Sequence, residues 1–405
     1  MIPADEARAL VLASCARLHP KALPLVDVLG CATSVPLDAP EDVPPFANTA
    51  MDGYAVRAAD TAGAGPDSPV RLDVAGLLPA GAAPTIEVRP GSAVRIMTGA
   101  AMPPGADAVV MVEETESSGD GTVLIHAEVS VGIAVRAAGS DMPKGARVFE
   151  PQTVIQPAHL GVLASLGYVR VPVFPRARVG VISTGDELVE GGGPLAPGQI
   201  RESNREMLLA LVEQANCTPV DLGLVRDDKD EISGVFERGA AECDALISSG
   251  GVSMGDFDLV KVVLDEIGDM RWMQIAIKPA KPFAFGLVGA SRTPVFGLPG
   301  NPVSSLVSFE LFARPALRQM MGHADIDRPR LLAVTDVDLT RQPDGKTHHL
   351  RVTGRFEADG RYHVVPVGAQ GSHQLAATAS ATALVAVPDG DGVPRGADVR
   401  ALLLI

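Results

Sequence analysis

Between residues 178 and 321, short apolar runs alternate with amphipathic stretches, and this alternation constrains the fold more than any other feature. Residues 179–183 are apolar and end at Thr184-Gly185-Asp186. Residues 204–214 have helical spacing, 219–225 read as a strand and 231–241 as a helix. Residues 245–248 form a buried strand ending in Ser249-Gly250-Gly251. A helix over 256–267, strands around 273–277 and 294–297, and a long helix over 302–321 complete the series. Helical crossovers between strands require mostly parallel pairing, so this segment is expected to form a doubly wound α/β sheet covered on both faces.

The flanks read differently. In residues 4–18, Ala7, Leu10, Val11, Ser14 and Leu18 lie near one helical stripe. Prolines between 36 and 45 mark a boundary. From 46 to about 135 the period is two: Val70, Leu72 and Val74 alternate with Arg71 and Asp73. The runs 108–112 and 122–127 are separated by Ser118-Gly119-Asp120-Gly121, which predicts a mostly β insert. Residues 156–166 look helical and Gly167 stops them, while Pro172 and Pro175 stiffen the link onward. Packing of this helix on the N-terminal one would make a discontinuous domain, 1–45 and 139–175, around the insert 46–138. An α/β domain at 176–326 and a β tail at 327–405 follow. In the tail, 351–353 and 362–365 flank an Asp359-Gly360 hairpin signal, so a small barrel or sandwich is expected.

Composition narrows the partners. At about 150 residues per domain, 405 residues allow two to four domains. A net charge of −15 argues against a nucleic-acid partner, which needs clustered basic residues. Of seven lysines, two stand together in Lys278-Pro279-Ala280-Lys281-Pro282, a positive focus suited to an anion. The two prolines hold both ammonium groups near one point with little ordering cost. Four cysteines without a C-x-x-C pair give no zinc or redox motif. The N-terminus lacks a basic n-region, and Arg8 and Arg17 interrupt the apolar stretch after it, unlike a signal peptide. No uncharged apolar run reaches the roughly 18 residues of a membrane span. The expected location is the cytoplasm, with no membrane partner.

Ligands of open α/β sheets bind outside the carboxyl ends of the strands, and three turns there carry unusual residues. Ser183-Thr184-Gly185-Asp186-Glu187 joins a glycine to two acids. Residues 248–258, SSGGVSMGDFD, supply Ser249, Gly250, Gly251 and Ser253 as small donors in an anion nest. Asp256 and Asp258 open the next helix, where they either cap it or ligate Mg²⁺. Glu187 and Asp227-Asp228 on neighbouring strand ends add weight to a shared metal site. Gly297-Leu298-Pro299-Gly300-Asn301-Pro302 places Asn at a helix N-cap and Pro at its first position, where free N–H groups suit an oxyanion. Gly251-Val252-Ser253-Met254-Gly255 also matches G-x-S-x-G. A hydrolase would need a downstream His on a strand-end loop, but His323 follows a helix and the rest lie in the tail. No P-loop and no H-E-x-x-H occurs, and His348-His349 is an isolated pair.

Together these motifs resemble the molybdopterin molybdenumtransferase family, known as MoeA and represented in eukaryotes by the gephyrin E domain. The match begins at NTAMDGYAV (48–56) and runs through RIMTGA (95–100), PGADAVV (104–110) and Gly139-Ser140-Asp141 to the turns above. The resemblance implies four domains with a C-terminal β-barrel, a central domain like MogA, and an elongated homodimer whose cleft lies between subunits. It implies transfer of molybdenum from molybdate to adenylyl-molybdopterin, with Mg²⁺, AMP release and a MogA-type adenylyltransferase as partner. Asp52, Thr98, Asp141, Glu187, Asp227 and Asp258 would be catalytic. Ser249, Gly250, Gly251, Ser253, Lys278, Lys281, Pro299, Asn301 and Pro302 would bind substrate, and Glu187, Asp256 and Asp258 would hold the metal. Three positions depart from the family: Ala280 stands where it usually has Gly, Thr49 replaces a serine, and Thr382 stands where Asn is frequent. A binding or scaffold protein on the same fold is the second reading.

Overall fold

The computed structural model describes residues 1–251 and 259–404. They form two compact units: 1–34, 152–156 and 170–405 in one, 35–151 and 157–169 in the other.

The larger unit is built on a six-stranded sheet in the order Thr218–Val225, Arg178–Thr184, Ala245–Ser249, Thr293–Leu298, Pro282–Val288, Gly268–Gln274. The first four strands pair in parallel and the last two are antiparallel. Side chains alternate across the sheet because successive β-carbons point to opposite faces. Ala245 and Ile247 join the core under the helix Asn204–Gln214, with Leu208, Leu211 and Val212. Leu246 joins the opposite core, with Ile232, Val235 and Phe236 of Lys229–Glu242 and Val260, Val263 and Leu264 of Leu259–Ile267. The doubly wound sheet is therefore present. The expected helix over 256–267 is seen as Leu259–Ile267, its first residues lying outside the described ones.

Two expectations change. The strand expected around 273–277 is two elements, Gly268–Gln274 in the sheet and Ile277–Lys278, which pairs with the tail strand Thr347–Phe356. Pro282–Val288 is a sheet strand that the proline-bounded lysine segment concealed. Its proline stands at the first residue, where a missing N–H removes no ladder bond.

The expected helix over 302–321 runs as Pro302–Ser308, a π-turn Phe309–Ala313 and Arg314–Met320. The wide turn precedes Pro315, which has no N–H to offer the Leu311 carbonyl. Arg8 supplies a donor instead, Nη1 to Leu311 O at 3.3 Å. Arg8 belongs to the N-terminal helix Ala4–Ser14, whose Ala7 and Val11 are buried in the same core as Ala316 and Leu317. This helix thus packs within the α/β unit, on the π-turn and Arg314–Met320, while Pro157–Ser165 falls in the other unit.

The tail closes into a barrel. Thr347–Phe356, Tyr362–Pro366, Arg330–Thr335, Asp398–Leu403 and Ala383–Val387 pair in that order, and Ala383–Val387 pairs back to Thr347–Phe356. Closure leaves no free edge among these five strands. The smaller unit carries its own six-stranded sheet, ordered Ala108–Met111, Gly53–Val56, Ser92–Ile96, Val70–Leu78, Thr122–Ile125, Thr115–Ser117. The insert is mostly β, as its period-two pattern indicates.

Candidate active site

Register alone gathers the turns of the α/β unit. Ser183 pairs with Ser249, Ser249 with Leu298, and Thr184 with Val225. Four parallel strands therefore end in line, and the segments after them leave at one edge of the sheet. Pro282–Val288 runs the other way and pairs Ala284 with Gly297. Its start lies at the same edge, so Lys281 emerges beside the end of Thr293–Leu298, near Pro299.

The turns interlock. Gly250 N–H donates to Leu298 O at 3.1 Å, and the Ser248 hydroxyl to Gly250 O at 3.3 Å. Gly251 has φ +70°, and a β-carbon there would stand 2.4 Å from Val260 Cβ. No larger residue fits that approach. The Glu187 carboxylate lies over Gly185, with Oε2 2.6 Å from where a β-carbon would stand. Asp227 N–H donates to Asp186 Oδ1 at 3.2 Å, which ties two strand ends together. Glu187, Asp227, Lys278 and Lys281 are all exposed, whereas Ser249 is buried.

Two expectations are refined here. Asp228 is a helix cap, its Oδ1 accepting from Asp230 N–H at 3.0 Å and Glu231 N–H at 2.9 Å, and so contributes little to a metal site. Asn301 does sit at the N-cap with Pro302 behind it, but its side chain makes no capping bond. One free N–H of that helix, Val303, is taken by Ser372 O of the barrel loop at 3.1 Å. Ser253, Asp256 and Asp258 lie outside the described residues. Among the described residues no three His, Cys, Asp or Glu cluster as metal ligands. Glu187 and Asp227 are exposed carboxylates with no ion pair among the described residues, a hard-oxygen donor type that fits Mg²⁺.

The lysine segment is bent where the family departure falls. Ala280 has φ +76° and is 3% exposed, packed with Ile277 and Phe283. The left-handed backbone costs a residue with a β-carbon about 1–2 kcal/mol. Glycine would relieve that, but it would lose a buried methyl worth about 0.8 kcal/mol. It would also loosen the unfolded chain by about 0.4–1 kcal/mol. Ala280→Gly is therefore expected to change unfolding free energy by less than about 1 kcal/mol in chemical denaturation. A change above about 2 kcal/mol in either direction would contradict this balance. Lys278 opens onto a cavity of about 790 Å³ shared with Arg341, His348, Gln370 and Gly371 of the barrel.

Sequence reasoning missed the residues that brace these turns. Glu202 Oε1 accepts from the Ser183 hydroxyl at 3.0 Å and from Arg205 N–H at 2.8 Å. Asn204 Nδ2 donates to Ser249 Oγ at 2.8 Å and to Gly300 O at 2.7 Å. Arg351, fully buried in the barrel, donates to Ala369 O at 2.7 Å and Gly371 O at 3.2 Å, holding the loop that contacts Val303. A polar residue inside a helical or strand pattern is the only local signal for these, and it does not name the partner.

In the smaller unit, antiparallel pairing of Gly53 with Ile96 sets Asp52 beside Thr98. Thr98 N–H and Oγ1 both donate to Asp52 Oδ1 at 2.7 Å. These bonds, the backbone one first, hold the exposed Asp52 carboxyl below its usual range, so it stays ionised. Thr49 uses its hydroxyl as a serine would, donating to Met51 O at 2.6 Å. Asp141 is exposed, its N–H donating to Val43 O at 3.0 Å. Among the described residues no hydrogen bond or ion pair joins it to Asp52 or Thr98.

Sheet, turns and lysines define a multidomain α/β protein with glycine-rich turns, exposed carboxylates and Lys281 at its strand ends. Three family profiles match in order: "MoeA N-terminal region (domain I and II)" over 2–167, "Probable molybdopterin binding domain" over 180–319 and "MoeA C-terminal region (domain IV)" over 333–404. Molybdopterin molybdenumtransferase 2 of Mycobacterium tuberculosis is 40% identical over 377 residues, 92% of this chain and 91% of that protein. Molybdopterin molybdenumtransferase of Bacillus subtilis is 34% identical over 408 residues, 100% and 94% of the two chains. The crystal structure of a molybdopterin biosynthesis MoeA protein from Pyrococcus horikoshii superposes with a TM-score of 0.83 at 31% identity, covering 100% of this chain and 99% of that one. The chain belongs to the MoeA family.

Proposed function

We propose that this protein is a molybdopterin molybdenumtransferase that takes adenylyl-molybdopterin and molybdate and yields molybdenum cofactor and AMP. The observation that carries this is the common edge at which four parallel strands and the start of Pro282–Val288 deliver glycine turns, carboxylates and Lys281. Both substrates are anions, and the protein as a whole carries a charge of −15, so a local positive focus is what recruits them. Lys278 and Lys281 neutralise molybdate or phosphate. Ser249, Ser253 and the backbone N–H groups of Gly251 and Asn301 donate to phosphate oxygens, Gly250 lets the backbone come close, and Pro299 and Pro302 stiffen the turn. Mg²⁺, held by Glu187, Asp256 and Asp258, would polarise the adenylyl phosphoryl group. Asp52, ionised through Thr98, and Asp141 serve the same reaction from a second copy of the chain, with Asp227 across from them.

The remaining assignments follow from this reading. The protein acts as a homodimer in the cytoplasm, after a MogA-type adenylyltransferase. The four domains proposed with it are 1–45 with 139–175, then 46–138, 176–326 and 327–405, although the helix Ala4–Ser14 packs on Arg314–Met320 and not on Pro157–Ser165. No helix among the described residues is long and apolar enough to cross a membrane. Asp258→Ala is expected to leave the protein folded and to abolish molybdate-dependent AMP release from adenylyl-molybdopterin. Unchanged turnover in that variant would sink the metal-site assignment.

A further inference from the structure

We propose that Asn204 is a positioning residue that orients the Ser249 hydroxyl and the Gly300 peptide toward an anionic substrate, an inference that presupposes the anion site proposed above. Asn204 is 8% exposed and stands at the first position of Asn204–Gln214. Its two Nδ2 hydrogens go to Ser249 Oγ at 2.8 Å and Gly300 O at 2.7 Å. A carbonyl can only accept, so Gly300 O fixes which end of the amide is the nitrogen. Ser249 Oγ must then act as acceptor toward Asn204. The nitrogen has no lone pair to take the hydroxyl hydrogen in return, so that hydrogen is left to donate elsewhere. An anion offers acceptors alone, and Asn204 therefore sorts Ser249 into the one role an anion can use.

The second bond acts on the next turn. In a trans peptide the C=O and the following N–H point in opposite directions. Holding Gly300 C=O toward Asn204 turns the Asn301 N–H the other way, away from the Asn204 amide. The two turns lie together, since a β-carbon on Gly300 would stand 3.9 Å from Gly250 Cα. Asn204 Oδ1 meanwhile is buried without a partner among the described residues. Burial of an unpaired acceptor opposes folding, and the two donated bonds offset that cost. The two donated bonds, both to turns of the site, are what asparagine adds.

The test is a double-mutant cycle with Asn204→Leu, a near-isostere without donors, and Ser249→Ala. Alone, Asn204→Leu is expected to keep the thermal midpoint and lower kcat/KM for adenylyl-molybdopterin roughly tenfold or more. In the Ser249→Ala background the same change is expected to matter at least about threefold less, because the hydroxyl it orients is gone. Equal effects in both backgrounds, or a wild-type rate for Asn204→Leu, would overturn the proposal. Should Asn204→Leu not fold, Asn204→Ser, which keeps one donor, goes through the same cycle under the same criterion. The cycle is also read on AMP affinity by calorimetry, which needs no turnover. AMP binding with the expected coupling but no molybdate-dependent turnover in the wild type would overturn the transferase reading and leave the positioning role standing. AMP binding without coupling would overturn the positioning role alone.

Discussion

Lys281→Ala is expected to lower molybdate-dependent AMP release about 100- to 1,000-fold, with the unfolding midpoint unchanged, the size of effect seen when one donor to a developing oxyanion is removed. The lysine is exposed, and among the described residues no carboxylate or carbonyl engages its Nζ. Lys229 and Lys346, by contrast, pair with Glu266 and Asp344 at 2.7 and 3.1 Å. Its structural contribution is a backbone one, the carbonyl accepting from Ile275 N–H at 2.7 Å, and this survives truncation of the side chain. The variant separates chemistry from folding for that reason. Lys281→Arg is expected to recover part of the rate, since charge is kept while the compact ammonium is not. More than about a tenth of wild-type activity in Lys281→Ala would mean the charge is not used in this way.

Glu310→Ala is expected to lower unfolding free energy by about 3–5 kcal/mol, because it strands buried positive charge. Glu310 lies in the π-turn with a fully buried side chain. Arg328 grips it with two bonds, Nε to Oε2 at 2.9 Å and Nη2 to Oε1 at 2.8 Å, and Arg314 Nε stands 3.8 Å away. Burial already presses the Arg314 guanidinium down to about 10, with Glu310 the first influence opposing it. Losing the carboxylate leaves both arginines without a counter-ion in the core. Glu310→Gln, which keeps an acceptor but not the charge, is expected to fall between. Urea denaturation reads the difference, and a loss below about 1 kcal/mol for Glu310→Ala would show that the arginines relax to other partners.

The α/β alternation was legible because crossover geometry and side-chain period leave few alternatives. The helix over 204–214 was expected at its observed bounds. The Pro282–Val288 strand was hidden because a proline-bounded segment reads as a stop, although a first-residue proline is compatible with pairing. Asp228 was legible as an acid at a strand end but not as a cap, because only the neighbouring N–H positions decide which acid folds back. Ala280 stands out in the sequence as an alanine where the family usually has glycine, and its φ of +76° gives the physical reason for that glycine. Asn204 and Arg351 were not legible at all, because their partners lie 45 or more residues away, or in loops whose approach depends on tertiary packing. The family resemblance supplied the Asp52 and Thr98 assignments, and the antiparallel register of Gly53 with Ile96 gives the physical reason the two meet.

The most direct test of the account is AMP release by the full-length wild-type protein incubated with adenylyl-molybdopterin and Mg²⁺, with and without added molybdate. The transferase reading predicts AMP release that rises with molybdate and saturates, together with product that activates a molybdenum-cofactor-free apoenzyme. Tight binding of adenylyl-molybdopterin without molybdate-dependent AMP release would contradict it.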